Sequence, residues 1–169
     1  MPTLTFGVLY CFFVIGHDRR KVLHFNVTRN PSALWIVQQM RDAWQYASVH
    51  RGLIFDRDSK FNGDVVSTAK DLGSKPVRTA FRSPWQNGVA ERWVGSCRRD
   101  LLDHVILLNE RHLQLMAEYI RYYHEDRTHL GLAKDAPAGR PVETRSAVGR
   151  SIHSLPRLGG LHHRYDLAA

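Results

Sequence analysis

Two carboxylates stand out in this chain of 169 residues by where they sit. Asp56 closes a short apolar run, Leu53-Ile54-Phe55. Glu91 lies in the stretch R-S-P-W-Q-N-G-V-A-E-R, Arg82–Arg92, with 34 residues between the two acids. A side chain at the end of a buried strand can leave the core and reach a cleft at the strand ends. Glu91 falls on a helix opened by Ser83-Pro84, where Val94, Gly95 and Arg98 share its face. Arg98, with Arg99 beside it, could hold phosphate oxygens. Gly95 would let a backbone approach closely, and Arg92 could pair with a carboxylate. Carboxylate oxygens are the donors that hard cations such as Mg²⁺ prefer. The plainer readings stand beside these. A strand-end Asp is ordinarily a turn or cap residue, a helical Glu or an Arg pair is ordinarily a solvated face, and Asn87-Gly88 could be a turn dipeptide.

The elements that would position these groups can be read from pattern. Val8–Ile15 is a short run rich in β-branched and aromatic residues, the signature of a strand buried on both faces. Gly16-His17-Asp18 is a turn. Val22–Val27 then alternates, with Leu23, Phe25 and Val27 on one face and Val22, His24 and Asn26 on the other, and predicts a more exposed strand paired to the first in a hairpin. Asn30-Pro31 predicts a helix start, with Asn30 as cap, and Ile36, Met40, Ala43 and Trp44 give its buried stripe. That helix should fade near Tyr46. Leu53–Phe55 predicts a strand, Val65–Leu72 a helix stopped by Gly73, and Val77–Phe81 a further strand. On the helix after Ser83, Ala90, Val94, Cys97, Leu101 and Val105 form the expected core face. Asn109–Glu125 follows as a helix with Leu113, Met116, Ala117, Ile120 and Tyr123 inward. Beyond Arg127 the chain is rich in Gly and Pro, and 144–169 is expected to be an irregular tail. The order of strands and helices is that of a mixed α/β domain.

Composition narrows the function. A 43% hydrophobic share fits a packed domain, and a net charge of +8 with a pI near 9.9 is what a phosphate-binding surface gives. Many merely soluble proteins are also basic. Cys11 and Cys97 form no C-x-x-C pair, so a zinc ribbon is excluded, and both read as small core residues. The ten histidines are scattered. The apolar stretch Leu4–Ile15 is too short to cross a bilayer, and its basic residues follow it rather than precede it, unlike a signal peptide.

The block Ser83, Pro84, Asn87, Gly88, Glu91, Arg92 resembles the S-P-x-x-N-G-x-x-E-R motif of the integrase catalytic domain, shared by retroviral integrases and bacterial insertion-sequence transposases. Asp56-Arg57-Asp58-Ser59-Lys60-Phe61 stands where that family has a D-N-G-x-E-F-like stretch, with Asp58 in place of the usual Gly. Tyr122-Tyr123, Arg127 and His129 resemble its closing helix motif. The resemblance spans Phe6–Val142, and the domain is accordingly placed at 1–143. It implies a ribonuclease H-like mixed sheet flanked by helices, and DNA integration or transposition through an Asp-Asp-Glu site. Asp56 would be the second acid and Glu91 the third, together holding metal. Two Mg²⁺ or Mn²⁺ ions, about 3.5–4 Å apart, would activate the attacking oxygen and stabilise the leaving one. Asn87, Arg98 and Arg99 would contact DNA. Element ends and target DNA are the implied partners, with a homo-oligomer, no membrane, and a cytoplasmic, nucleoid-associated location in a bacterium.

In that family the first Asp lies on a strand before the hairpin, central in the sheet between the hairpin and the strand of Asp56. No Asp precedes Asp18 here, and Asp18 sits in the hairpin turn. The expectation is therefore an N-terminally truncated core whose central first strand is largely missing, with weak or absent metal binding and no strand transfer. The family's usual N-terminal DNA-binding helices are expected to be missing as well. Each buried backbone group left unpaired costs about 1–3 kcal/mol, against a net stability of about 5–15 kcal/mol. The alternative in another class is a catalytically dead, nucleic-acid-binding remnant. A hydrolytic nuclease of the same fold and a basic structural protein are weaker readings.

Overall fold

A computed structural model describes residues 7–45, 50–106, 113–141 and 151–167. Within them the fold is mixed α/β, as expected. Strands β1 (Tyr10–Ile15) and β2 (Val22–Thr28) form an antiparallel hairpin. Helix α1 (Ala33–Trp44) follows, then β3 (Gly52–Phe55), α2 (Gly63–Asp71) and β4 (Lys75–Arg78), with β3 and β4 parallel. A 3₁₀ turn, Pro84–Asn87, leads into α3 (Gly88–Cys97), which runs on as a π turn, Arg98–Leu102. Helix α4 (Leu113–Glu125) and a second hairpin, β5 (Ile152–Arg157) with β6 (His162–Leu167), complete it.

The strands divide two cores. Trp93, Cys97, Leu101, Met116, Tyr119, Ile120 and Tyr123 form one beneath α3 and α4, and Cys11, Phe13 and Ile15 of β1 pack on it. Ile36, Val37, Met40, Val65 and Ala69 form the other with Phe55, and Phe12, Leu53 and Phe61 pack there. Successive side chains of β1 therefore enter opposite cores, as strand geometry requires. Such a strand must be apolar on both faces, which is why Val8–Ile15 shows no alternation.

Several local expectations are corrected. The cap of α1 is Ser32, whose Oγ accepts from Trp35 N at 3.1 Å, and not Asn30. The polar face of β2 is not solvated, because His24 and Asn26 both meet the buried Gln39 Oε1 on α1, at 3.0 and 2.9 Å. The face of α3 is turned from the expected one. Trp93, Ser96 and Cys97 are buried, while Val94 is exposed. Phe13 decides this, since its ring meets Trp93 at 4.2 Å between centroids. On α4, Tyr119 is buried and Ala117 exposed. The tail expected to be irregular is a regular hairpin over 152–167. Its strands are too exposed to carry an apolar period, so the pattern hid them. Tyr46, where α1 was expected to fade, lies outside the described residues. So do 109–112, the expected start of the helix ending at Glu125, and 144–150 of the tail, as does the side chain of Leu113.

Candidate functional site

Asp56 follows the last residue of β3 and is exposed. The strand is held by β4, where Lys75 N and Thr79 N donate to the carbonyls of Arg51 and Phe55. Asp56 Oδ1 accepts from Asp58 N at 2.9 Å, and Asp58 Oδ1 accepts from Lys60 N at 2.9 Å. Two successive Asx turns thus hold the loop, and Asp58 is the local turn residue the sequence suggests. The backbone N–H of Lys60 keeps its carboxyl below the ordinary range. Arg57 Nε reaches Thr79 O at 2.8 Å, and Arg78 bonds Phe61 O, so the loop is pinned to β4 from both sides.

Glu91 lies in the first turn of α3, exposed and free of any hydrogen bond or ion pair among the described residues. A carboxylate there is favoured by the helix dipole without needing a partner. The 3₁₀ turn before α3 is tied back to β4, because Gln86 Oε1 accepts from Ala80 N at 2.6 Å. Gln86, silent in the sequence reading, is therefore what sets the entry of α3 against the β3–β4 pair.

These elements meet at one cavity of about 930 Å³. Asp56 and Asp58 line it from the β3 side, Asn87 and Ala90 from the α3 side. Asn87 is half-buried and makes no capping bond. Glu91 stands one residue beyond this rim. Asp18 lines the same cavity within the hairpin turn. It belongs to the far end, since Lys60, beyond β3, lies over the ring of Tyr10, the first residue of β1, at 5.5 Å. Among the described residues no three potential ligands cluster. Asp56 and Glu91 suit a hard divalent ion in kind, being oxygen donors, but fall short of a full ligand shell in number.

Arg98 and Arg99 are exposed on the π turn. Arg98 Nε pairs with Asp103 at 3.2 Å, a solvent-exposed contact of little energetic weight. Arg99 folds back beside Gly95, where a Cβ would stand 3.1 Å from its Nη1. Gly95 thus serves a side chain of its own helix. Asp100 was missed in sequence. It is half-buried, accepts from Arg127 Nε at 2.7 Å and Tyr119 OH at 3.2 Å, and ties the π turn to α4. Burial, with the Asp100 charge, pushes the Tyr119 hydroxyl well above its ordinary range. The Tyr122-Tyr123, Arg127, His129 group is likewise structural. Tyr122 stacks on His162 at 4.6 Å and Tyr123 meets His129 edge-on at 4.7 Å.

Residues 72–137 match the family model described as integrase core domain. Over this segment the chain is similar to an integrase core domain. The segment includes Asn87, Glu91, Arg98 and Arg99, together with the Asp100–Arg127 tie, and it begins after Asp56. No curated protein matches the chain. Among the described residues, no helix is long and apolar enough to cross a membrane.

Proposed function

We propose that this chain is part of a DNA-integrating, transposase-type core of ribonuclease H-like fold. In complete form such a core would break and rejoin DNA at phosphorus. The reading rests above all on the integrase core match over 72–137. It is supported by the cavity rim that Asp56 shares with Asn87 and Ala90, next to Glu91. Asp56 and Glu91 would hold a divalent ion, Mg²⁺ or Mn²⁺. When bound, the ion would stabilise the charge that develops on the phosphoryl oxygens. Asn87, Arg98 and Arg99 would hold DNA backbone on the same side, element ends and target alike, in a homo-oligomer within a bacterial cytoplasm.

With two carboxylates in place of three, the chain by itself binds the ion weakly and does not complete strand transfer. The experiment is a donor-DNA cleavage and joining assay with purified 1–169 and Mg²⁺. No joined product is expected. Joined product that disappears in Glu91→Gln would overturn the inactivity and keep the site.

A second reading, a nucleic-acid-binding remnant without catalysis, is favoured by the exposed Arg98 and Arg99. It predicts DNA binding that is insensitive to Mg²⁺ and to Glu91→Gln. The same assay, read by binding rather than joining, separates the two.

A further inference from the structure

Several guanidinium groups around the end of α4 have no acid to answer them. In the β1–β2 turn, Arg19 is engaged: its Nη2 meets Asp135 at 2.5 Å and its Nε donates to Pro137 O at 3.0 Å. The turn is thereby clamped to the loop that follows α4. Its neighbour Arg20 is half-buried and makes no hydrogen bond or ion pair among the described residues. The Arg20 backbone takes a φ of 59°, a conformation that residues other than glycine rarely adopt. Its guanidinium lies against Gly131, where a Cβ would overlap it. Gly131 itself has no positive φ, so the guanidinium and not the turn calls for a glycine. Two residues before Gly131, the His129 ring meets Tyr123 edge-on at 4.7 Å, and Arg127 lies over the same Tyr123 ring at 5.9 Å. Arg127 Nε is held by Asp100, which leaves its two Nη groups without a partner among the described residues. Arg92 on α3, exposed and without an acid partner among the described residues, is a third cation in reach. Burial raises the Tyr123 hydroxyl, and the charges of Arg127, Arg20 and Arg92 act against that rise without reversing it. The hydroxyl therefore stays protonated, a donor among three cations. Burial and then the charges of Arg127 and Arg20 depress His129 in the same place. Arg20, Arg92, Tyr123 and Arg127 all stand apart from the lining of the Asp56 cavity.

We propose that Arg20, Arg92, Arg127 and the Tyr123 hydroxyl form a binding site for a phosphate group. Like charges held close together repel, and an anion between them removes that cost. The planar guanidinium fork donates in pairs to phosphate and carboxylate oxygens. Here the donors come from three places, the β1–β2 turn, α3 and the segment after α4, and so approach from separate directions. A tetrahedral oxyanion presents oxygens to all of them, whereas a carboxylate offers two in one plane. Asp100 is an opposing charge nearby, but it is already spent on Arg127 Nε and the Tyr119 hydroxyl. Two sources carry this chemistry, a nucleic-acid backbone and a free phosphate monoester, and the site recognises what they share.

This inference does not depend on the metal-holding reading of Asp56 and Glu91, and its test contains no divalent ion. Inorganic phosphate is titrated into the full chain at neutral pH and constant ionic strength, followed by calorimetry. Saturable binding of one phosphate per chain is expected. Arg20→Asn removes the guanidinium and keeps a residue that tolerates the backbone of the turn. It should weaken phosphate binding about tenfold, the scale of a lost hydrogen bond to a charged group. Because Arg20 bonds nothing else, the urea midpoint of that variant should match the parent chain. Gly131→Ala removes no charge and only displaces the Arg20 guanidinium, yet it should weaken binding severalfold. A DNA duplex without terminal phosphates then assigns the source. Displacement of bound phosphate by the duplex makes it a backbone phosphodiester, and phosphate that stays bound makes it a monoester. Three results would overturn the proposal: no saturable phosphate binding, binding unchanged by Arg20→Asn or by Gly131→Ala, or acetate bound as tightly as phosphate at the same ionic strength. The last two would leave a diffuse basic surface in place of a built site.

Discussion

The closing side of the molecule, built from α4, the π turn and the β5–β6 hairpin, contrasts with the mouth shared by Asp56 and α3. On the closing side the buried and half-buried acids and guanidinium groups are paired. Asp126, with its side chain 2% exposed, accepts from Arg157 Nε at 2.7 Å and Arg164 Nη1 at 3.1 Å, and Arg140 Nη2 meets Asp166 at 2.6 Å. His162 Nε2 lies 2.7 Å from Asp100 O. At the mouth, Asp56 is held by one backbone N–H, and on α3, next in sequence to the lining residue Ala90, Glu91 has no side-chain partner among the described residues. The charges that hold the fold together are thus not the two carboxylates proposed to hold a metal ion. A carboxylate meant for a ligand has to stay unspent, whereas a buried one has to be paired because an isolated buried charge is costly.

This contrast can be broken at graded cost. The largest effect is expected at Trp93, which seals β1 onto α3. Trp93→Ala should lower stability by about 3–5 kcal/mol, read as a drop in the urea midpoint. Asp126→Ala leaves the half-buried Arg157 without its acceptor, and Arg164 with Asp166 alone, and should cost about 1–3 kcal/mol. It should also raise hydrogen exchange across 152–167 before the rest of the chain. Unchanged exchange there would show that the hairpin is held by something other than Asp126.

Acid acts on the same closing side. Burial first, then the charges of Arg127 and Arg20, lower His129 from its ordinary range to about 4. Burial first, then Lys21, lowers His124, whose Nε2 accepts from Val22 N at 2.9 Å. Both rings are neutral in the fold, while the unfolded chain takes up protons near pH 6.5. Their contribution is therefore complete above about pH 6.5 and is lost as the pH falls toward 4. Urea midpoints measured from pH 7 to 4 should decline, and His129→Phe should flatten the decline. A profile of the same slope in that variant would remove His129 from the account.

The smallest structural effects belong to exposed charges, Asp56 at the mouth, Glu91 on α3, and Arg98 and Arg99 on the π turn. Asp56→Asn and Glu91→Gln should shift stability by no more than about 0.5 kcal/mol, the range of exposed positions. Each should still weaken Mg²⁺ binding followed by calorimetry. Arg98→Ala with Arg99→Ala should leave folding unchanged and lower the salt dependence of DNA affinity by about one unit of slope per lost phosphate contact. A fold-breaking result at Glu91 would make the mouth part of the scaffold and end the contrast.

The sequence by itself determined the hairpin β1–β2, the strand before Asp56, α2 and its stop at Gly73, and the block around Glu91. Each rests on short-range rules, such as alternation, caps and a turn residue, and Gly73 does take the positive φ of 78° that its role demands. The resemblance to an integrase core was legible for the same reason, because its motif is contiguous. What only the tertiary structure decided depends on contacts between distant residues. The face of α3 was set by Phe13 against Trp93. The burial of Gln39 was set by His24 and Asn26. The order in the C-terminal segment comes from Arg157 and Arg164 closing on Asp126, across 31 and 38 residues. The cavity between β1 and β3 belongs to this second group. A run of apolar residues states that a strand is buried on both faces, but not which neighbour lies along its edge. That is fixed only when the backbone hydrogen bonds of the whole sheet are laid out in space.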